Sequence, residues 1–115
     1  MKLSKAARLR RRHDFLQVQQ RGRRLYSGDV LVVGRDSGGP RPRIGITVSS
    51  KVGNAVERNR VKRWVREAWR SLDGDLPAID LAVIARPSAR TMGLEGARKA
   101  LLAARDALNR PGGRG

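Results

Sequence analysis

The chain has 115 residues, no cysteine, and 26 Lys and Arg against 10 Asp and Glu, for a formal net charge of +16. That length sets one domain around one core, and the lack of Cys excludes a disulfide frame, a thiolate metal site and a cysteine nucleophile while fitting a reducing compartment. Self-repulsion at this charge opposes folding of so small a domain unless a polyanion relieves it. Nucleic acid is the first partner to consider, an anionic membrane the second, and a merely solvated surface the third.

The N-terminus, MKLSKAARLRRRHDF, is basic and lacks the apolar stretch of a signal peptide. Two readings remain, an Arg-rich transit peptide or a helix of the domain itself. The helix is favoured because Leu9 and Phe15 run on into Leu16 and Val18. A helix is predicted from about Arg8 to Gln20, stopped by Gly22. Asp29 to Arg35, DVLVVGR, reads as a short apolar strand, and SGGPRP at 37–42 as a turn.

Arg43 to Lys51, RIGITVSSK, alternates. Ile44, Ile46 and Val48 point one way, and Gly45, Thr47 and Ser49 the other. The second row is small and hydroxylated. It fits either an ordinary solvent face or a face left open for a ligand. A helix follows from about Ala55 to Leu72, with Gly74 available to end it. Ile79 to Arg86, IDLAVIAR, reads as a buried strand. Leu94 to Leu108 reads as a last helix with Leu94, Ala97, Leu101, Leu102, Arg105 and Leu108 roughly in line. The remaining RPGGRG, residues 110–115, reads as a disordered basic tail behind a single domain of residues 1–109. No run approaches the ~18 apolar residues of a membrane span. The order is helix, strand, strand, helix, strand, helix: an α+β or α/β sandwich.

The helix from 55 to 72 carries the strongest pattern. Asn54 followed by Glu57 fits a capping box. At 100° per residue, Val61, Trp64, Val65, Ala68, Trp69 and Leu72 fall on one side. Asn59, Lys62, Arg63, Arg66 and Arg70 fall on the other, with Arg58 and Arg60 on the flanks. Val56 lies on the polar side, in the first turn, where the preceding loop is its expected contact. The Trp residues share the Val and Leu side and read as core rather than as stacking platforms for bases. Like charges at neighbouring helix positions are destabilising, so the cationic side calls for an anionic partner. Arg suits phosphate oxygens, which it binds in bidentate fashion.

GNAVERNRVKRWVREAWR, residues 53–70, closely resembles the signature helix of the bacterial ribonuclease P protein family. Its centre is Arg58-Asn59-Arg60, followed by Lys62, Arg63 and Arg66. RLRRRHDFLQVQQRGRR at 8–24 resembles the family's first helix, with its Asp-Phe pair at Asp14-Phe15. RIGITVSSKVGNAV resembles the strand leading into the signature helix, and DLAVIARPSA the next strand. The resemblance spans about residues 8–108, with the four motifs in order.

The resemblance implies an α+β fold, a small four-stranded sheet packed with about three helices and related to ribosomal-protein-like folds. It implies a left-handed strand–helix–strand crossover, where general chain geometry favours a right-handed one. It implies endonucleolytic removal of the 5′ leader from precursor tRNA, in the cytoplasm, by a ribonucleoprotein whose RNA subunit holds the catalytic Mg2+, with none bound tightly by this chain. The implied partners are the catalytic RNA and precursor tRNA, with no membrane and no small-molecule substrate. Arg58, Asn59, Arg60, Lys62, Arg63 and Arg66, with Arg70, Arg11 and Arg12, would contact RNA. Phe15, Val18, Thr47, Ser49 and Lys51 match positions lining the family's leader cleft between first helix and sheet. Gln19 and Val33 belong to the same cleft but stand where the family often has aromatics. That leaves Phe15 to stack on a base, or Tyr26 to substitute from a shifted position; Phe15 in the core is the other reading.

The polypeptide itself carries no clear catalytic constellation. Its acidic residues are scattered, Asp73-Gly74-Asp75 is a weak metal signal, and His13 has no evident partner beyond Asp14. A non-enzymatic RNA-binding protein of ribosomal or chaperone type fits the charge and size equally; a nucleoid protein on DNA is a third reading.

Overall fold

The computed structural model describes residues 12–36, 42–72 and 79–108. In chain order these form α1 (Arg12–Arg21), β1 (Arg23–Ser27), β2 (Val30–Asp36), β3 (Arg43–Thr47), α2 (Ala55–Ser71), β4 (Ile79–Ala85), a 3-10 helix (Pro87–Thr91) and α3 (Gly93–Leu108). The sheet order is β1-β2-β4-β3. β1 and β2 are antiparallel, as are β2 and β4, while β3 lies parallel to β4 and reaches it through α2. The sheet is therefore mixed, and the fold is α+β with three α-helices.

Alternation along each strand assigns the two faces. Val30, Val32, Ile44, Leu81 and Val83 pack with Val65, Ala68 and Trp69 of α2 and with Ala97, Ala100, Leu101 and Ala104 of α3. Leu31, Val33 and Ala82 point to the opposite face, where Val18 of α1 covers them. A third cluster of Val48, Val52, Val61, Ala85 and Ala89 pins the loop that enters α2. Both Trp residues belong to the α2 side of the main core, Trp69 fully and Trp64 in part.

Local chemistry fixes the element ends. The capping box forms: Glu57 N–H donates to Asn54 Oδ1 at 2.9 Å, and Asn54 N–H donates to Glu57 Oε1 at 2.9 Å. Gly22 ends α1 because nothing larger fits. Its N–H donates to the Val18 carbonyl at 2.7 Å, and a Cβ there would lie 2.5 Å from that oxygen and 2.6 Å from Val33 Cγ1. β1 and β2 are joined by Gly28-Asp29, with Gly28 at φ +58° and no positive φ outside glycine among the described residues, the pattern of a II′ hairpin. Ser27 Oγ then donates to the Ala100 carbonyl at 2.7 Å and ties this hairpin to α3.

The structure corrects several expectations. Periodicity alone gave three strands; β1 is a fourth, and a Gly-Asp turn between LYS and VLVV is the hairpin signal that marks it. The third strand ends at Thr47 rather than Lys51, since Ser49 to Val52 form a turn. Leu102 is 37% exposed. The buried stripe of α3 is Ala97, Ala100, Leu101 and Ala104, and its three Ala bring the helix close to its neighbours. Val56 does not pack on the preceding loop; it is 65% exposed. Arg8 to Arg11, most of the 37–42 turn, Asp73-Gly74-Asp75 and the 110–115 tail lie outside the described residues.

Candidate nucleic-acid interface

One side of α2 is committed to the core, with Val61, Val65, Ala68 and Trp69 buried. The other presents Asn59, Arg60, Arg63 and Arg70 exposed, and Arg58, Lys62 and Arg66 half-buried. Glu57 is engaged in the cap and lies 3.9 Å from Arg90. Among the described residues, Arg58, Arg60, Lys62, Arg63 and Arg66 take part in no ion pair. Arg58 Nε is buried without a hydrogen-bond partner, and an unsatisfied buried donor costs about 1–3 kcal/mol. The result is five cations on the outer side and flanks of one helix, with no ion pair among the described residues.

The loop before α2 continues this surface. Ser49 and Lys51 are exposed, and Lys51 N–H donates to Ser49 Oγ at 3.3 Å. Thr47 is exposed at the end of β3, in register with the half-buried Ile84. Gly45, its neighbour on the same face, is in register with Ala82. α1 packs on β2 and β4, and on the β3 side of this face Thr47 forms an exposed shelf next to the buried Gly45 and Ala82. Thr47 and Ser49 are its exposed hydroxylated residues, with Lys51 exposed beyond them.

The remaining site residues divide. Val18 and Val33, at 1% and 0% exposure, have no surface to offer a ligand; they are the seam that holds α1 to the sheet. Gln19 is half-buried on α1. Beside it, Gln17 Oε1 accepts from Arg35 Nη1 at 3.1 Å, a second tie between α1 and β2. Arg12 and Phe15 lie within α1 with side chains outside the described set, and Arg11 is outside it altogether. On the same sheet face, Arg43 Nε and Nη2 donate to the two Asp80 oxygens at 2.8 and 2.7 Å. This bidentate pair joins β3 to β4, and neither partner was singled out in the sequence. Among the described residues no group of three or more His, Asp or Glu side chains could hold a metal ion, and no helix is long and apolar enough to cross a membrane.

The comparisons with known proteins agree with this geometry. The Ribonuclease P family model matches residues 3–109. The ribonuclease P protein component of Brevibacillus brevis is 41% identical over 102 residues, covering 87% of this chain and 81% of that protein. That of Gluconacetobacter diazotrophicus is 44% identical over 90 residues, covering 75% and 77%. Among solved structures, a Staphylococcus aureus RNase P protein superposes with a TM-score of 0.82 at 30% identity, covering 91% of this chain and 97% of that one. The Thermotoga maritima RNase P protein gives 0.76 at 36% identity, covering 85% and 94%. A helix that spends one face on the core and holds on the other five cations without an ion pair among the described residues, in a fold shared over most of its length with these proteins, places the chain in the ribonuclease P protein family, as the protein subunit of a tRNA-processing ribonucleoprotein whose partner is RNA.

Proposed function

We propose that this chain docks on the catalytic RNA through α2 and holds the 5′ leader of precursor tRNA across the shelf beside α1, so that the ribonucleoprotein removes the leader at the mature 5′ end. The observation that carries this reading is the stripe of Arg58, Arg60, Lys62, Arg63 and Arg66, unpaired among the described residues and fixed on a helix that the core cannot release. A helix fixed by its buried face presents these cations along one side, and the planar Arg fork suits phosphate oxygens. An acceptor on the RNA would also satisfy the Arg58 Nε.

The shelf supplies the second contact. Thr47 and Ser49 offer hydroxyls, and Lys51 a charge, at a spacing set by β3 and its turn. Phe15, from the resemblance, would add stacking from α1. In this reading the chemistry belongs to the RNA, which holds the Mg2+. This chain's residues bind, orient and exclude competing products, and the complex works in the cytoplasm. Leader contacts are made only to precursor, so they favour precursor over mature tRNA.

The test is reconstitution. The purified chain is mixed with a bacterial ribonuclease P RNA and precursor tRNA at a magnesium concentration where that RNA alone is nearly inactive. Restored cleavage at the mature 5′ end supports the reading. RNA binding with no gain in cleavage overturns it in favour of a general RNA-binding module.

A further inference from the structure

Tyr26 is 72% exposed, on an edge strand, in a chain with one Tyr, one Phe and two Trp. Nothing in the core uses it. It pairs in register with Leu31, Leu31 with Ile84, and Ile84 with Thr47. Residues directly opposite share a face, so Tyr26 stands on the same side of the sheet as the shelf. Three inter-strand steps of about 4.8 Å put its Cα roughly 14 Å from that of Thr47. Leu31 is the buried floor between them.

The ring is not alone. The Arg86 guanidinium carbon lies 5.6 Å from the ring centroid. Arg86 follows β4 two residues beyond Ile84, and its N–H donates to the Asp29 carbonyl at 3.0 Å, which anchors its backbone at the hairpin turn. The nearest carboxylate on that turn, Asp29, already accepts from Ser88 Oγ at 2.7 Å. Arg24, two residues before Tyr26 and so on the same face, is exposed. Neither Arg24 nor Arg86 has an ion pair among the described residues.

We infer that Tyr26 and Arg86 form a base-stacking platform for single-stranded RNA, at the far end of a strip that runs from Thr47 past Ile84. A base stacks on the open face of the Tyr26 ring, the Arg86 guanidinium steadies the ring through its cation–π contact, and Arg24 and Arg86 meet the flanking phosphates. The strongly positive field of a chain of net charge +16, against the single Asp29 carboxylate at the turn, favours a polyanion over a peptide. This inference rests on the leader-binding reading and extends it: the stacking surface that Gln19 and Val33 do not provide is supplied from β1.

The test has two arms. In the first, the chain alone is titrated with a short fluorescein-labelled single-stranded RNA and followed by anisotropy. Tyr26→Ala is expected to weaken binding at least about fivefold, the lower end of stacking on one base, while Tyr26→Phe stays within about twofold. Melting temperatures should match, since the ring is exposed. In the second, the reconstituted complex is titrated with precursor and mature tRNA; Tyr26→Ala should weaken only the precursor. If Tyr26→Ala binds the oligonucleotide as well as the unsubstituted chain does, or the unsubstituted chain does not bind it, the platform is refuted and leader binding elsewhere is untouched. If the unsubstituted complex binds both tRNAs alike while Tyr26→Ala still loses the oligonucleotide, leader binding fails and the platform stands as a contact for other single-stranded RNA.

Discussion

Replacing Arg63 with Ala separates docking charge from folding. Arg63 is exposed on α2, has no ion pair among the described residues, and lies outside the buried set of Val61, Val65, Ala68 and Trp69. Its helix neighbours at three residues are Arg60 and Arg66, and at four residues Asn59 and Glu67. Two like pairs against one opposite pair leave a net of one like pair, worth about 0.2–0.5 kcal/mol. Thermal unfolding should therefore stay within a degree or two of the unsubstituted chain. RNA binding should not. If five α2 cations each displace a counterion, the slope of log K against log salt is roughly −3.5 to −4.5, and losing one reduces it by about 0.7–0.9. On doubling the salt, the unsubstituted chain would weaken roughly 11–23-fold and Arg63→Ala roughly 7–12-fold. The assay is a KCl series of binding isotherms on a bacterial ribonuclease P RNA. An unchanged slope in Arg63→Ala, or a slope near zero in both, would refute the docking role of this face; a collapse in melting temperature would make Arg63 structural.

Gly22→Ala should destabilise by about 1–3 kcal/mol, because the new methyl meets backbone oxygens of Val18 and Gly34 that cannot swing aside; an unchanged urea midpoint would show that α1 is not held as described. Asn54→Ala removes the acceptor that caps α2 and should cost about 0.5–2 kcal/mol by chemical denaturation, with Asn54→Asp close to neutral. Equal loss in both would mean the cap is not the reason. Arg43→Met should cost about 1–3 kcal/mol, since it strands the Asp80 carboxylate, 7% exposed, between strands. Double substitution with Asp80→Leu should recover part of that loss, and no recovery would argue against the pair. Phe15→Ala should weaken precursor more than mature tRNA in the reconstituted complex; equal loss for both would remove Phe15 from the leader contact.

The sequence exposes some of this architecture readily and hides the rest for physical reasons. α2 was legible because its two faces obey different rules: apolar bulk at helical spacing marks burial, and the cap pair marks the start. The strands at 30–36 and 79–85 were legible because they are buried on both faces and read as continuous apolar runs. β1 was hidden because it is an edge strand. Arg23, Arg24 and the exposed Tyr26 are what an edge tolerates, and they mask alternation that only Leu25 and Ser27 carry inward. Val18 matched a cleft position in sequence and Val33 stood in the cleft where the family often has an aromatic, yet both are buried here, because exposure depends on what the neighbours cover.

Charge patterning separates the two kinds of surface in this molecule. Several cations outside α2 stand beside a carboxylate: Arg43 with Asp80 across β3 and β4, Arg98 with Glu95 and Arg105 with Asp106 on α3. On α2 the only acids are Glu57, held in the cap, and Glu67. The positions between Lys62, Arg63 and Arg66 are Trp64 and Val65, which face the core, so the acid available to these cations is Glu67, four residues after Arg63. One acid is outnumbered by the cations around it, whereas on α3 Arg98 and Arg105 each have an acid at hand. Like charges at this spacing cost α2 about 0.2–0.5 kcal/mol per pair, and in the proposed docking a polyanion offsets that cost.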